Sequence, residues 1–251
     1  MTRVALITGG ASGIGRRAVK AFADAGYAVA AADISRGGVA QSVDGLAGKH
    51  LACAADISDE TQVASLFETV ERDLGPVAVL LNFAGIMVTP GVGQRPSIIS
   101  SELADWERTF AVNTRGTFLC LREMMRHRTR KPVAYSRIIN ISSSAAQLGG
   151  HNGSAAYIAS KGAILSLTKI AAREAAPLGL TVNCIAPGVI ETPLLRSVMP
   201  PEADEAYCKN IPLARIGSPD DITAAALFLA SPQAGYITGS CIDVNGGIRM
   251  Q

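Results

Sequence analysis

A surplus of charge of either sign is missing from this 251-residue chain. Its formal net charge is +2, which offers no basis for a nucleic-acid or anionic-membrane partner. No stretch is long and apolar enough to span a bilayer. The apolar run in the opening MTRVALITGG is shorter than the core of a signal peptide and leads straight into a Gly-rich turn. The five cysteines (Cys53, Cys120, Cys184, Cys208, Cys241) are odd in number, scattered, and form no CxxC pair. Such cysteines read as reduced thiols, mostly in apolar runs, of a cytoplasmic protein. The three histidines lie far apart without metal-ligand spacing, so no metal is expected. No tract is acidic, basic or repetitive enough to suggest disorder.

What is present is a globular composition, with 48% apolar residues, 18% charged residues and 25 glycines. The length suits one large α/β domain. Short apolar runs at 3–8, 27–33, 50–55, 77–82, 136–142, 180–186 and 240–244 read as strands. Helical patterns lie between them at 14–25, 39–46, 59–74, 102–128 (two helices or one bent one), 155–176 and 220–230, with Asp59 and Ser218-Pro219 as start signals. Strands alternating with helices of this length imply parallel crossovers, hence a doubly wound parallel α/β sheet of the Rossmann type. No linker interrupts the pattern, so a single domain over 1–251 is expected. Residues 87–101 form a Pro/Gly/Ser-rich loop long enough to suggest function.

Three patterns carry chemistry. Thr8-Gly9-Gly10-Ala11-Ser12-Gly13-Ile14-Gly15 lies between the first strand and the first helix. Glycines there let the backbone approach a pyrophosphate, and the helix N-terminus offers free N–H groups and a positive dipole end. The second strand ends in Asp33. A carboxylate in that place accepts from both ribose hydroxyls of an adenosine and repels a 2′-phosphate. Neither Ser12 nor Ile34 supplies a cation to offset that repulsion, although Arg16 and Arg36 are close in sequence, so NAD is favoured over NADP. Third, Tyr157 and Lys161 are four apart at the head of an Ala-rich helix, which sets them on one face. A free phenol has a pKa of about 10. A neighbouring ammonium favours the phenolate, and a tyrosine so tuned exchanges a proton with a carbonyl or hydroxyl oxygen. Tyr-x-x-x-Lys alone occurs often by chance, and its weight comes from the other motifs.

With these patterns occur Asp56-Ile57, Asn82-Phe83-Ala84-Gly85, Asn113, the serines at 142–144, Pro187-Gly188, Thr192 and a C-terminal ITG…NGG segment. In this order, nearly end to end, the chain resembles the short-chain dehydrogenase/reductase family. The resemblance implies that Gly9, Ser12, Gly13, Ile14, Gly15, Asp33 and Ile34 bind the cofactor, with Asp56 and Ile57 at the adenine edge. It assigns Asn82, Ala84 and Gly85 to cofactor contact, where Phe83 departs from the commoner Asn. Pro187, Gly188, Ile190 and Thr192 would close over the nicotinamide, the Ile190 backbone and the Thr192 hydroxyl gripping its carboxamide. A serine hydroxyl would bond the reacting oxygen, and Tyr157 would move the proton. Lys161 would lower the phenol's pKa and anchor the nicotinamide ribose. Asn113, helix-disfavouring in mid-helix, is either a buried hydrogen-bonded amide or, as the resemblance implies, a kink whose freed carbonyl holds a proton-relaying water.

Which serine touches substrate depends on the direction of counting. The family's spacing back from Tyr157 reaches Ser144, and counting forward from the strand reaches Ser143. The distance of Gly149-Gly150 from Ser143 suits the family pattern and places the extra residue around His151-Asn152, which selects Ser143. The resemblance also sets His151 beside the substrate pocket without a catalytic part, and makes 194–207 a mobile lid. RHRTRK at 126–131 reads as a solvated surface turn rather than a nucleic-acid patch. Helix 155–176 could pack against its own copy, and the resemblance implies a homotetramer. The expected activity is NAD(H)-dependent hydride transfer between nicotinamide and a small-molecule secondary alcohol or ketone. One rival is an NADPH-dependent 3-oxoacyl-thioester reductase, which Asp33 opposes. The other is a non-catalytic nucleotide-binding protein of the same fold, which intact Tyr157, Lys161 and Asn113 oppose.

Overall fold

The computed structural model describes residues 2–92, 94, 96–150 and 153–250. Strand and helix alternate from the start, through β1 (Val4–Thr8), α1 (Gly13–Asp24), β2 (Ala28–Asp33), α2 (Arg36–Val43), β3 (Leu51–Ala54), α3 (Glu60–Asp73) and β4 (Val77–Asn82). The second half comprises α4 (Leu103–Phe110), α5 (Thr117–Arg130), β5 (Ser136–Ile141), α6 (Ser144–Leu148), α7 (Ala155–Ala175), β6 (Leu180–Pro187), α8 (Pro193–Arg196), α9 (Asp204–Cys208), α10 (Pro219–Ala230) and β7 (Cys241–Val244). All seven strands pair in parallel, in the order β3-β2-β1-β4-β5-β6-β7. The order reverses between β1 and β4, so a crevice opens at their C-terminal ends, where ligands of doubly wound sheets bind.

Both faces of the sheet are covered, which explains why β1, β4 and β6 are buried along their whole length, even at Asn82, Thr181 and Asn183. On one face Val63, Phe67, Met124 and Ala171 pack against Leu80, Ile138 and Val182. On the other, Ala18, Phe22, Ile222 and Leu229 pack against Ile7, Leu81 and Ile185. Helix starts are set by caps. The Asp59 carboxylate accepts from Thr61 and Gln62 N–H, and Ser218 and Asp221 form a reciprocal capping box. Each cap contributes about 1 kcal/mol.

The structure departs from the sequence reading in three places. Helix α2 starts three residues earlier than its apolar pattern, because Ser35 Oγ accepts from Gly38 N–H and caps it there. The short helix α6 has no counterpart in the sequence pattern. RHRTRK lies at the end of α5 rather than in a turn, with Arg126, Thr129, Arg130 and Lys131 exposed. Residues 102–128 form one bent path, as their pattern allows, in which a π-helical turn, Ala111–Gly116, joins α4 to α5. The basic run is not solvated throughout. Its Arg128 is 1% exposed and paired with Glu71 of α3, and His127 Nδ1 lies 3.0 Å from the same carboxylate. Glu71 also accepts from Val77 N–H at 3.1 Å, so the basic run ties two helices to the sheet. Among the described residues, no helix is long and apolar enough to cross a membrane.

Candidate active site

One bank of the crevice is backbone. The first-turn N–H groups of α1 have no intrahelical acceptor, and Ser12 at the N-cap makes no side-chain cap bond. The helix start is therefore a donor-rich, positive end suited to a pyrophosphate. The turn closes tightly, and a Cβ on Gly15 would lie 2.0 Å from the Gly9 carbonyl oxygen. Thr8 Oγ1 accepts from Phe83 and Ala84 N–H at 3.1 and 3.2 Å, locking this turn to the one after β4. At the tip of β2 the Asp33 carboxylate accepts from Ala11 N–H at 3.3 Å and from Ser35 N–H at 3.0 Å, with exposed Ile34 beside it. Asp56 accepts from Ser58 N–H and Oγ, and the Ile57 side chain turns into the core. The Asn82 side chain is turned inward, toward Asn140 of β5. It is buried, and its Nδ2 donates to Asn140 Oδ1 at 2.9 Å, linking β4 to β5.

The opposite bank carries reactive side chains. Ser154 caps α7 and accepts from Tyr157 N–H. Lys161 Nζ sits 5.9 Å from the Tyr157 ring centre and donates to Ile141 O at 3.1 Å. Gly85 makes this approach possible, since a Cβ there would stand 3.1 Å from Lys161 Nζ and 3.4 Å from Asn113 Oδ1. Two hydroxyls hold the tyrosine–lysine segment. Ser142 Oγ donates to Lys161 O at 2.8 Å, and Ser160 Oγ donates to Tyr157 O at 2.8 Å while accepting from Asn113 Nδ2 at 3.0 Å.

Asn113 sits within the π-helical turn, fully buried, and grips Ile86 through both N–H and C=O. Both readings of this residue are partly met. The amide is buried and bonded, and the helix deviates here, by a π turn rather than a sharp kink. The Asn113 carbonyl accepts from Thr117 Oγ1 at 2.7 Å, which leaves its second lone pair available.

Burial sets the electrostatics. It lowers the Lys161 ammonium to about 8. It pushes the Tyr157 phenol upward, and the nearby Ser143 hydroxyl partly offsets the rise. Lys161 therefore does not hold the phenol down in this structure. Its ammonium is turned to the Ile141 carbonyl, and desolvation of the phenolate is the larger effect. Tyr157 stands as a protonated acid. Of the three serines, Ser142 is tied to α7, Ser144 begins α6, and Ser143 caps α6, its Oγ accepting from Ala145 N–H at 3.2 Å on the wall of the cavity that Tyr157 also lines.

Between the banks lies a cavity of about 660 Å³. Its wall includes Phe83, Met87, Leu148, Val189, Leu195, Val198, Met199 and Ile248, with Tyr207 and Asn210 as polar points. Phe83 and Val189 fall within the motifs, whereas Leu148, Asn210 and Ile248 carry no sequence signal of their own. Arg196 pairs with Glu191 and Asp204 and braces the segment from α8 to α9. Thr192 faces the Gly-rich turn, its methyl close to Gly13, but its hydroxyl caps α8 and donates to Ile190 O, so a carboxamide would have to compete for it. His151 and Asn152 lie outside the described residues.

A phosphate-binding turn, a carboxylate at the tip of β2 and a Tyr/Lys/Ser cluster across the crevice define a dinucleotide-dependent oxidoreductase. A family model described as enoyl-(acyl carrier protein) reductase matches residues 9–249. A 3-oxoacyl-[acyl-carrier-protein] reductase of Thermotoga maritima is 33% identical over 249 residues, 98% of this chain and 97% of that protein. An acetoacetyl-CoA reductase of Shinella zoogloeoides is 37% identical over 251 residues, 98% of each. The crystal structure of a 3-ketoacyl-(acyl-carrier-protein) reductase from Brucella melitensis complexed with NADH matches with a TM-score of 0.90 at 35% identity, covering 99% of this chain and 98% of that one. The chain belongs to the short-chain dehydrogenase/reductase family. It is an oxidoreductase that exchanges a hydride between a nicotinamide cofactor and a secondary alcohol or the matching ketone.

Proposed function

We propose that the chain works with NAD(H) rather than NADP(H), and with Tyr157 as its proton carrier. One observation carries the cofactor choice. The Asp33 carboxylate is pinned by Ala11 and Ser35 N–H at the rim beside the Gly-rich turn. There it accepts from ribose hydroxyls, and a 2′-phosphate would meet its charge. The NADH-bound Brucella structure supports the same reading. Isothermal titration of the unaltered protein should give tighter binding of NADH than of NADPH, and equal or better NADPH affinity would sink the proposal. Asp33→Ala should narrow the gap, since repulsion and ribose hydrogen bonds disappear together.

When bound, the nicotinamide supplies or accepts the hydride. Tyr157 gives its proton to the carbonyl oxygen in reduction and takes one from the hydroxyl in oxidation. Ser143 donates a hydrogen bond to the same oxygen. Lys161 holds the nicotinamide ribose, and the Asn113 carbonyl holds a water that returns protons to it. The names of two relatives favour a second reading, reduction of 3-oxoacyl thioesters. A panel of alcohols, polyols, hydroxy acids, hydroxysteroids and 3-oxoacyl thioesters, followed by nicotinamide absorbance, separates the two.

The proposal includes a cytoplasmic homotetramer. Exposed Trp106, Phe118 and Ile170 on α4, α5 and α7 support the assembly, with a groove over Phe110 and Leu167 between them. Five free cysteines support a reducing compartment. Light scattering after size exclusion should report four copies, and a monomer at every working concentration would refute the assembly.

A further inference from the structure

Strands β6 and β7 pair with Cys184 opposite Cys241 and Ile185 opposite Ile242. Ile185 and Ile242 both belong to the face packed against α1 and α10. Alternation along each strand therefore turns both cysteines to the other face, toward α7. Paired strands lie about 4.8 Å apart, within the Cα separation of about 4.4–6.8 Å that a disulfide spans.

The two thiols are unequal. Cys184 is 0% exposed, and the neighbouring Cys241 sulfur and burial push its thiol well up against the Lys161 charge. Cys241 is half-buried and lines a separate cavity of about 680 Å³ together with Asp243 and Arg249. Gln147 Nε2 points at the Cys241 sulfur from 3.9 Å. The neighbouring Cys184 sulfur, then the Arg249 and Lys169 charges, draw the Cys241 thiol down against burial and Asp243. Burial instead pushes Cys53 up to about 11 and Cys120 up to about 12. A half-buried thiol on a cavity wall, in register with a second thiol on the next strand, is an arrangement in which a sulfenic acid can condense to a disulfide.

We propose that Cys241 and Cys184 are a peroxide-oxidisable pair, with Cys241 the attacking thiol and Cys184 the resolving one, closing to a disulfide across β6 and β7. The Cys241 thiolate attacks one peroxide oxygen, breaks the O–O bond, and becomes a sulfenic acid as hydroxide leaves. Cys184 sulfur then attacks the sulfenic sulfur. The S–O bond breaks, and the departing hydroxide takes the Cys184 proton as water. Two thiols lose two electrons and two protons, and one hydrogen peroxide becomes two waters.

The full chain, treated with hydrogen peroxide, alkylated and digested, tests this by mass spectrometry. The Cys184 and Cys241 peptides should appear joined, about 2 Da below their summed mass, and dithiothreitol should release them. Cys53 and Cys120 should remain alkylatable. Cys184→Ser should stop at a dimedone-reactive sulfenic acid on Cys241. A Cys241 that still alkylates fully after peroxide, a link between any other pair, or first oxidation at Cys184 overturns the proposal, and the first two readouts need no variant.

Discussion

On the β1–α1–β2 bank, shape is set by main chain against main chain. Gly15 has no room for a methyl group beside the Gly9 carbonyl, and the first-turn N–H groups of α1 are left without a side-chain cap from Ser12. Across the crevice, from β5 through α9, the wall is made of side chains carried on short helices and loops, such as Leu148, Leu195, Val198 and Met199. Backbone packed this tightly accepts one residue type per position. A wall of apolar side chains accepts exchanges of similar volume. On the proposed reading, the first bank serves the pyrophosphate and adenosine ribose, and the apolar wall of the second is the part open to variation with substrate.

The largest effect should come from separating chemistry from cofactor binding. Tyr157→Phe should lower turnover by about 10²–10⁴-fold, the worth of a general acid–base group, with NADH affinity retained by titration. Loss of NADH binding in that variant would show that the banks are not independent. Next is the serine choice. Ser143→Ala should lower turnover by about 10²-fold, as removal of a donor to a reacting oxygen does, and Ser144→Ala should cost far less. The reverse order in steady-state kinetics would set the register from the tyrosine side.

The backbone bank answers to a different substitution. Gly15→Ala should destabilise the protein by about 1–3 kcal/mol through overpacking, read as a lower urea midpoint together with weaker NADH binding. An unchanged midpoint would break the contrast between the two banks. The smallest effect joins them. Burial holds Lys161 at about 8, so the ammonium is present below that pH and lost above it. NADH affinity should therefore weaken as pH rises through about 8, and Lys161→Met should flatten that dependence. A titration curve that is the same in both proteins would remove Lys161 from ribose binding.

Much of the site is legible because its constraints are local. The Gly-rich turn, Asp33 at a strand end and Tyr157 one turn before Lys161 each state their geometry within a few residues of chain. Ser143 was harder, since three consecutive serines differ only by which way the backbone turns as β5 gives way to the cap of α6. RHRTRK was misread because its partner, Glu71, lies on another helix. The inward turn of Asn82 depends likewise on Asn140 in the neighbouring strand.

The chain's own pattern determined a doubly wound sheet, its crevice, the Gly-rich turn at the head of α1 and the placing of Tyr157 one turn before Lys161 on α7. Periodicity and turn chemistry act over one element at a time. Only the tertiary structure decided that Arg128 is buried, that the Lys161 ammonium is weakened while the Tyr157 phenol stays protonated, and that Cys184 stands opposite Cys241. Each of these depends on how much water is excluded and on which distant segment supplies the neighbour, and neither quantity is carried by any single stretch of sequence.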